Sequence, residues 1–117
     1  MQYDPNTPIY LQVVTAIKTD IVTGRRGPGE KLPGGREMAV IYTINPNTAA
    51  RVYQELEREG LCETRRGLGT FVTEDGERVK ALREEMARQA ARTFLEKMKQ
   101  LGIGREEAAG MILKEEA

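Results

Sequence analysis

The sequence predicts a mainly α-helical chain with one small β-hairpin, an α+β arrangement in which a first domain is followed by a helical segment. Three observations carry this. Apolar residues recur at the three-to-four spacing of an amphipathic helix in several stretches, alternation with period two occurs only between residues 61 and 73, and Gly/Pro clusters separate the periodic runs. The length of 117 residues fits one ordinary domain, or a small domain with an appendage. With 39% hydrophobic and 31% charged residues, the composition is globular and supports a small core.

Residues 8–23 place Tyr10, Val13, Val14, Ile17 and Ile21 on one helical stripe, with Pro8 near the start and Gly24 just past the end. The following RRGPGEKLPGG is too rich in Gly and Pro for a helix, and reads as a turning connector with at most a short strand around Lys31 and Leu32. Residues 36–42 form a short helical candidate. Asn45-Pro46 then gives a side-chain cap followed by proline at the first helical position, so a new helix starts at Pro46. It runs to residue 59 and stops at Gly60, burying Ala49, Val52, Tyr53 and Leu56 while Asn47, Thr48, Arg51 and Arg58 point elsewhere.

Two helices joined by a tight turn, the second opening with small polar donors and an Arg, make a helix-turn-helix pattern. Residues 61–66 and 70–73 read as two strands around Gly67-Leu68-Gly69. Three helices and a hairpin in this order predict a winged helix-turn-helix domain over residues 1–75.

From Glu77 to about Gln100 the helical period returns, with Val79, Leu82, Met86, Ala90, Phe94, Met98 and Leu101 on one stripe along roughly 36 Å of helix. Gly102 and Gly104 break it, and REEAAGMILKEE forms a last short helix, with Ile103 placed to staple onto Ala108. That helix is too short to cover the stripe. A second copy of the chain is the natural cover, which makes residues 76–117 a two-helix dimerisation segment.

The absence of His removes His-based general-base catalysis, His metal ligands and Ser-His-Asp or Cys-His arrangements. Cys62 is the single cysteine, so an internal disulfide and a thiolate metal site within one chain are excluded, and a small apolar strand residue is expected there. Glu77, Glu84 and Glu85 read as a solvated helix face rather than a metal site. No stretch approaches the roughly 18 uncharged residues of a membrane span, and the expectation is a cytoplasmic protein with no catalytic residues, no metal and no cofactor.

Net charge is zero, from 18 basic and 18 acidic side chains, so the sorting of charge matters more than its sum. Glu55, Glu57, Glu59 and Glu63 gather at the far end of helix 46–59, whereas Arg36, Asn47, Thr48, Arg51, Arg65 and Arg66 lie where a groove-binding face would be. An α-helix fits the major groove and reads bases best with its N-terminal residues. Asn can bond adenine through two atoms, Arg can grip guanine O6 and N7, and Thr can meet a base, a phosphate or a thymine methyl. Arg36 opens a helix, where a cation opposes the dipole, so an external phosphate or guanine would offset that cost; a surface pair with Glu30 or Glu37 is the alternative. The wing residues Arg65, Arg66, Gly67, Gly69 and Thr70 can approach the sugar-phosphate edge or the minor groove.

The run LPGGREMAVIYTINPNTAARVYQELEREGLCETRRGLGTFV resembles the winged-helix domain of GntR-family bacterial transcription regulators, with a match from about Pro8 to Val72. Its most specific pieces are Pro28-Gly29 with Leu32-Pro33, Arg36 to Ala39, Asn45-Pro46-Asn47-Thr48, Glu55-Leu56-Glu57 with Gly60-Leu61, and Arg66-Gly67 with Gly69 to Val72. The INPNT form, with only about 40 residues after the wing arranged as two helices, is similar to the YtrA subfamily, which lacks a large effector-binding domain. The resemblance implies a homodimer on a palindromic operator, acting usually as a repressor of its own operon and often of ABC-transporter genes. It carries DNA contacts over to Arg36, Asn47, Thr48, Arg51 and Gly67. Three positions depart from the family. Gly34 stands for a usual Ser whose hydroxyl caps the helix, Tyr42 stands for a usual Leu, and Thr43 stands for the Gly of the tight turn, so that turn is expected to differ or to be strained.

The reading is therefore a sequence-specific regulator that binds double-stranded DNA through helix 46–59 and wing 65–70, with any small-molecule effector unknown. The alternatives are a winged helix used for protein docking and a non-specific architectural DNA binder.

Overall fold

The computed structural model describes residues 1–116. The elements in chain order are α1 (Ile9–Val22), α2 (Gly35–Tyr42), α3 (Pro46–Arg58), β1 (Cys62–Arg65), β2 (Gly69–Val72), α4 (Gly76–Gln100) and α5 (Arg105–Lys114). These are the winged helix-turn-helix elements the sequence predicts, in the predicted order. The chain divides into two compact units, one of residues 1–82 and one from Arg83 on.

In the first unit, α1, α2 and α3 converge on a core in which Val13, Ile17, Met38, Val52, Leu56 and Leu61 are almost fully buried. Each such side chain contributes roughly 1.5–3 kcal/mol on removal from water, enough to hold three short helices that would not persist alone. The hairpin pairs Cys62 with Val72, Glu63 with Phe71, Thr64 with Thr70 and Arg65 with Gly69. Strand β2 begins one residue earlier than the sequence predicts, so the connection is Arg66-Gly67-Leu68, closed by the Leu68 N–H donating to Arg65 O at 2.9 Å. The expected short strand around Lys31 and Leu32 is present as a bridge from Lys31 to Phe71, with Leu32 N–H donating to Thr70 O at 2.8 Å and Val72 N–H to Glu30 O at 2.9 Å.

Several helices close in the same way. After α3, Gly60 N–H donates to Glu57 O at 3.0 Å and Leu61 N–H to Leu56 O at 2.9 Å; after α4, Gly102 N–H donates to Lys99 O and Ile103 N–H to Met98 O, both at 2.9 Å. This paired closure needs a left-handed residue, and glycine supplies it at both ends. After α2 the same pair forms, Thr43 N–H to Val40 O at 3.3 Å and Ile44 N–H to Ala39 O at 2.9 Å, but the left-handed residue is Thr43, with φ 55° and ψ 52°. Among the described residues it is the only non-glycine with positive φ. The strained alternative is thus the one realised: the turn keeps its geometry and a β-branched residue bears the cost.

The stripe on α4 is divided between the two units. Val79 is half-buried and Leu82 is 1% exposed within the first unit, so Leu82 is already covered by its own chain and the part of the stripe open to a partner starts at Met86. In the second unit Met86, Phe94 and Met98 are half-buried, Ala90 and Leu101 are exposed, and Ala108 of α5 is fully buried. Met111, Ile112 and Leu113 remain open, Leu113 at 87%. A helix pair this apolar on its outside presents a surface that favours a partner.

Candidate nucleic-acid interface

Helix α3 begins as its sequence dictates. Asn45 is extended (φ −64°, ψ 142°), and its Oδ1 accepts the Asn47 N–H at 2.8 Å, while Pro46 occupies a position whose N–H would have had no helical partner. The cap uses the Asn45 side chain rather than those of Asn47 and Thr48. Asn47 and Arg51 are exposed and Thr48 is half-exposed, and their spacing of three and four residues puts them on one face, opposite the buried Ala49, Val52 and Leu56.

Arg51 is not a free cation. Its guanidinium carbon lies 3.7 Å from the centre of the Tyr10 ring, which carries the side chain on α1. Tyr10 is half-exposed rather than core, so the first residue of the α1 stripe serves as a platform for α3.

The far end of α3 is held by charge. Glu59 accepts from Lys18 Nζ of α1 at 2.8 Å, and Arg78 of α4 donates through Nε to the Glu59 backbone oxygen at 2.8 Å. Glu55 pairs with Arg58, whose hydrogen bonds hold the Glu55 carboxyl below its ordinary range, and Glu57 accepts from the Thr64 hydroxyl. Of the acidic residues that the sequence placed away from a phosphate face, Glu59 thus ties the end of α3 to α1 and α4 and Glu57 ties it to the hairpin, while Glu55 pairs within α3 and Glu63 within β1.

Arg36 stands in the first turn of α2, exposed, and neither Glu30 nor Glu37 pairs with it among the described residues; Glu30 lies 3.9 Å from Arg26 instead. The helix start is bare, since Gly34 is extended and offers no side chain to cap it. On the wing, Arg65 is 3.1 Å from Glu63 and lies over the Phe71 ring at 4.6 Å, whereas Arg66 has no ion-pair partner among the described residues. Gly67 has φ +76° at the hairpin tip and faces open space.

Gly69 has a different reason to be glycine. Its φ is +121°, a backbone that strains any L side chain, and the end of the Lys31 side chain lies across the wing base, its Cε 2.8 Å from where a Cβ would stand. Gly69 and Thr70 line an open concavity of about 700 Å³ together with Lys31 and the α2 start at Gly34 and Gly35. The structure therefore brings the wing base beside the start of α2.

Sequence reasoning missed three residues here. Lys31 was visible only as strand; Tyr10 as core stripe; Leu68, 62% exposed at the wing tip, as turn filler. A leucine flanked by two glycines in a basic hairpin was the one available signal, because apolar side chains can wedge against bases. Among the described residues there is no cluster of His, Cys, Asp and Glu able to hold a metal, and no helix is long and apolar enough to cross a membrane.

Residues 9–72 match the family model described as bacterial regulatory proteins, gntR family. Over 106 residues the chain is 44% identical to an uncharacterized HTH-type transcriptional regulator, YhcF, of Bacillus subtilis (strain 168), covering 91% of this chain and 88% of that protein. It is 48% identical over 77 residues to the HTH-type transcriptional repressor YtrA of the same organism, covering 64% of this chain and 59% of that protein. A solved GntR family transcriptional regulator from Listeria monocytogenes superimposes with a TM-score of 0.89 at 39% identity, covering 97% of this chain and all (100%) of that one. A crystal structure of AraR(DBD) in complex with operator ORX1 gives a TM-score of 0.57 at 27% identity, over 62% of this chain and 93% of that one.

Proposed function

Because the chain belongs to the gntR family of bacterial regulatory proteins, with YtrA-like relatives, we propose that this transcriptional regulator binds a palindromic operator as a homodimer. Helix α3 enters the major groove, with Asn47, Thr48 and Arg51 facing base edges. Arg36, Arg66 and the wing backbone at Gly67 meet the flanking phosphates. The observation that carries this reading is the N-terminal half of α3: capped by Asn45, free of acidic residues, and presenting Asn47 and Arg51 outward while every glutamate sits in its second half. The operator complex of the AraR domain supports it by analogy of fold.

Pairing of two copies is assigned to the second unit, through Met86, Ala90, Phe94, Met98 and Leu101. With a two-fold axis there, half-sites lie about one helical turn of DNA apart. The similarity to the repressor YtrA supports repression as the sign of control; its own operon and ABC-transporter genes are the targets that the family resemblance implies. The family's role as regulators supports a non-enzymatic, cytoplasmic protein.

The test is selection of random duplex DNA by the purified protein at about 150 mM salt, where non-specific phosphate binding is already weakened. The expected product is a two-fold symmetric site with half-sites about ten base pairs apart. Binding without enrichment would replace this reading with an architectural one, and no binding by the folded chain would replace it with protein docking.

A further inference from the structure

Residues 1–8 lie ahead of the stretch that the family model matches, yet they are tied down at both ends. The Gln12 side chain of α1 holds one part. Its Oε1 accepts the Asp4 N–H at 2.8 Å, and its Nε2 donates to Asp4 O at 2.7 Å and Thr7 O at 2.8 Å. Asp4 tightens the same loop, its Oδ1 accepting the Asn6 N–H at 2.9 Å. From this anchor the chain reaches back, and the Tyr3 hydroxyl donates to the backbone oxygen of Tyr42, across 39 residues of sequence.

That acceptor has a particular position. The last carbonyls of a helix have no intrahelical donor. The closing pair after α2 satisfies Ala39 O and Val40 O, through Ile44 and Thr43. The Tyr42 oxygen is beyond its reach, and Tyr3 supplies the donor. Tyr42 immediately precedes Thr43, the β-branched residue held in the left-handed region, and three residues later α3 begins. The hydroxyl therefore grips the backbone at the least comfortable point of the turn that sets the direction of α3.

We propose that the N-terminal segment is a strap, anchored by Gln12, in which Tyr3 is a positioning residue that holds the strained turn between α2 and α3 and thereby fixes the pose of α3 for DNA. The strap offsets the cost of Thr43. The matching oxygen before the left-handed glycine that closes α3, Glu59 O, is also gripped, by Arg78 Nε at 2.8 Å, so what sets the α2 turn apart is the backbone cost of Thr43, and the proposal is that Tyr3 and Thr43 are coupled through that cost. The positioning half of the proposal rests on the reading of α3 as the DNA-contacting helix; the strap itself does not.

The experiment compares the full chain with Tyr3→Phe, Thr43→Gly and the double variant, by two readouts. Amide hydrogen exchange at Thr43 and Ile44 reports the turn, with Val52 and Leu56 as core references. Affinity for the duplex recovered by selection reports the pose of α3. Tyr3→Phe is expected to speed exchange at Thr43 and Ile44 by about two- to tenfold, the worth of one hydrogen bond, with the core amides unchanged and affinity falling by a similar factor. In the Thr43→Gly background the same change is expected to leave both readouts within about twofold. Wild-type exchange at both amides in Tyr3→Phe, or an equal loss in the glycine background, would overturn the strap. Faster turn exchange with unchanged affinity would overturn its positioning role. If selection recovers no duplex, the DNA reading falls and exchange alone decides the strap.

Discussion

The guanidinium of Arg51 rests on the Tyr10 ring, its central carbon 3.7 Å from the ring centre. A flexible side chain in the first half of α3 is thus held by a neighbouring helix before any partner arrives. A cation over an aromatic face at an exposed site is worth about 0.5–1 kcal/mol, and ordering an arginine beforehand lowers the entropy lost on contact.

Tyr10→Leu keeps apolar bulk under Arg51 and removes the π face. It is expected to cost about 0.5–1 kcal/mol of operator affinity per half-site. Arg51→Ala is expected to cost roughly 1–3 kcal/mol per half-site and to relax preference for one base pair. The double variant should match Arg51→Ala alone. Competition binding between the selected site and single-base variants checks this; equal losses on operator and scrambled DNA for Arg51→Ala would remove the base-reading role.

The two wing arginines should separate. Arg66, which has no ion pair among the described residues, is expected on change to Ala to lower affinity for all duplexes alike and to reduce the salt slope by about 1, with melting unchanged. Arg65 also packs on Phe71 and pairs with Glu63, so Arg65→Ala is expected to add a small loss of stability to the same uniform weakening. Salt titrations with thermal melts distinguish them.

Thr43→Gly is expected to stabilise the protein. A non-glycine left-handed residue costs about 1–2 kcal/mol, and glycine gives back about 0.5–1 kcal/mol in unfolded-state entropy, leaving a gain of up to about 1.5 kcal/mol. Urea unfolding measures it as a higher midpoint at unchanged slope. A lower midpoint would mean that the threonine is favoured there by contacts that outweigh its backbone.

Burial, with Glu57 adding to it, pushes the Cys62 thiol from 9.0 up to about 12. The folded chain is expected to react with a thiol reagent at pH 8 far more slowly than the urea-unfolded chain. Because the folded value is raised, the unfolded chain gives up this proton first, so stability falls as pH rises from 9 toward 12. Cys62→Ala is expected to flatten that part of the pH profile.

Leu101 is 73% exposed, so Leu101→Asp burdens no fold of the single chain. It is expected to shift the protein from dimer to monomer in sedimentation while helix content is unchanged. A wild-type chain that sediments as a monomer would remove the pairing assigned to the second unit.

The local parts of this molecule were legible in the sequence because they are written in short-range rules. Asn45-Pro46 declares the start of α3, Gly60 its end, and the Gly-flanked tip its hairpin. Even the discomfort of Thr43 could be anticipated from its β-branch. What sequence reading missed is relational. Tyr10 obeys the helical period of α1, and periodicity assigns a face without saying that the face ends under another helix. Gly69 reads as a tip residue suited to DNA, and its φ of +121° adds a backbone reason for glycine that the hairpin pattern does not show. Leu82 reads as one more member of a stripe, yet its own chain already buries it. The Tyr3 to Tyr42 bond spans 39 residues, and no local pattern encodes such a pair.

Helix α3 is fastened at both ends, by the Asn45 cap and the α2 turn at one, by Gly60, Lys18 and Arg78 at the other. Such a rod has little give, so in forming a complex the burden of accommodation shifts to the duplex. DNA steps differ in how readily they roll and twist, and a stiff reader ranks sequences by that compliance as well as by the groups it touches. Base pairs that no side chain reaches, including those between the half-sites of the proposed two-fold operator, would then enter the preference through their mechanics.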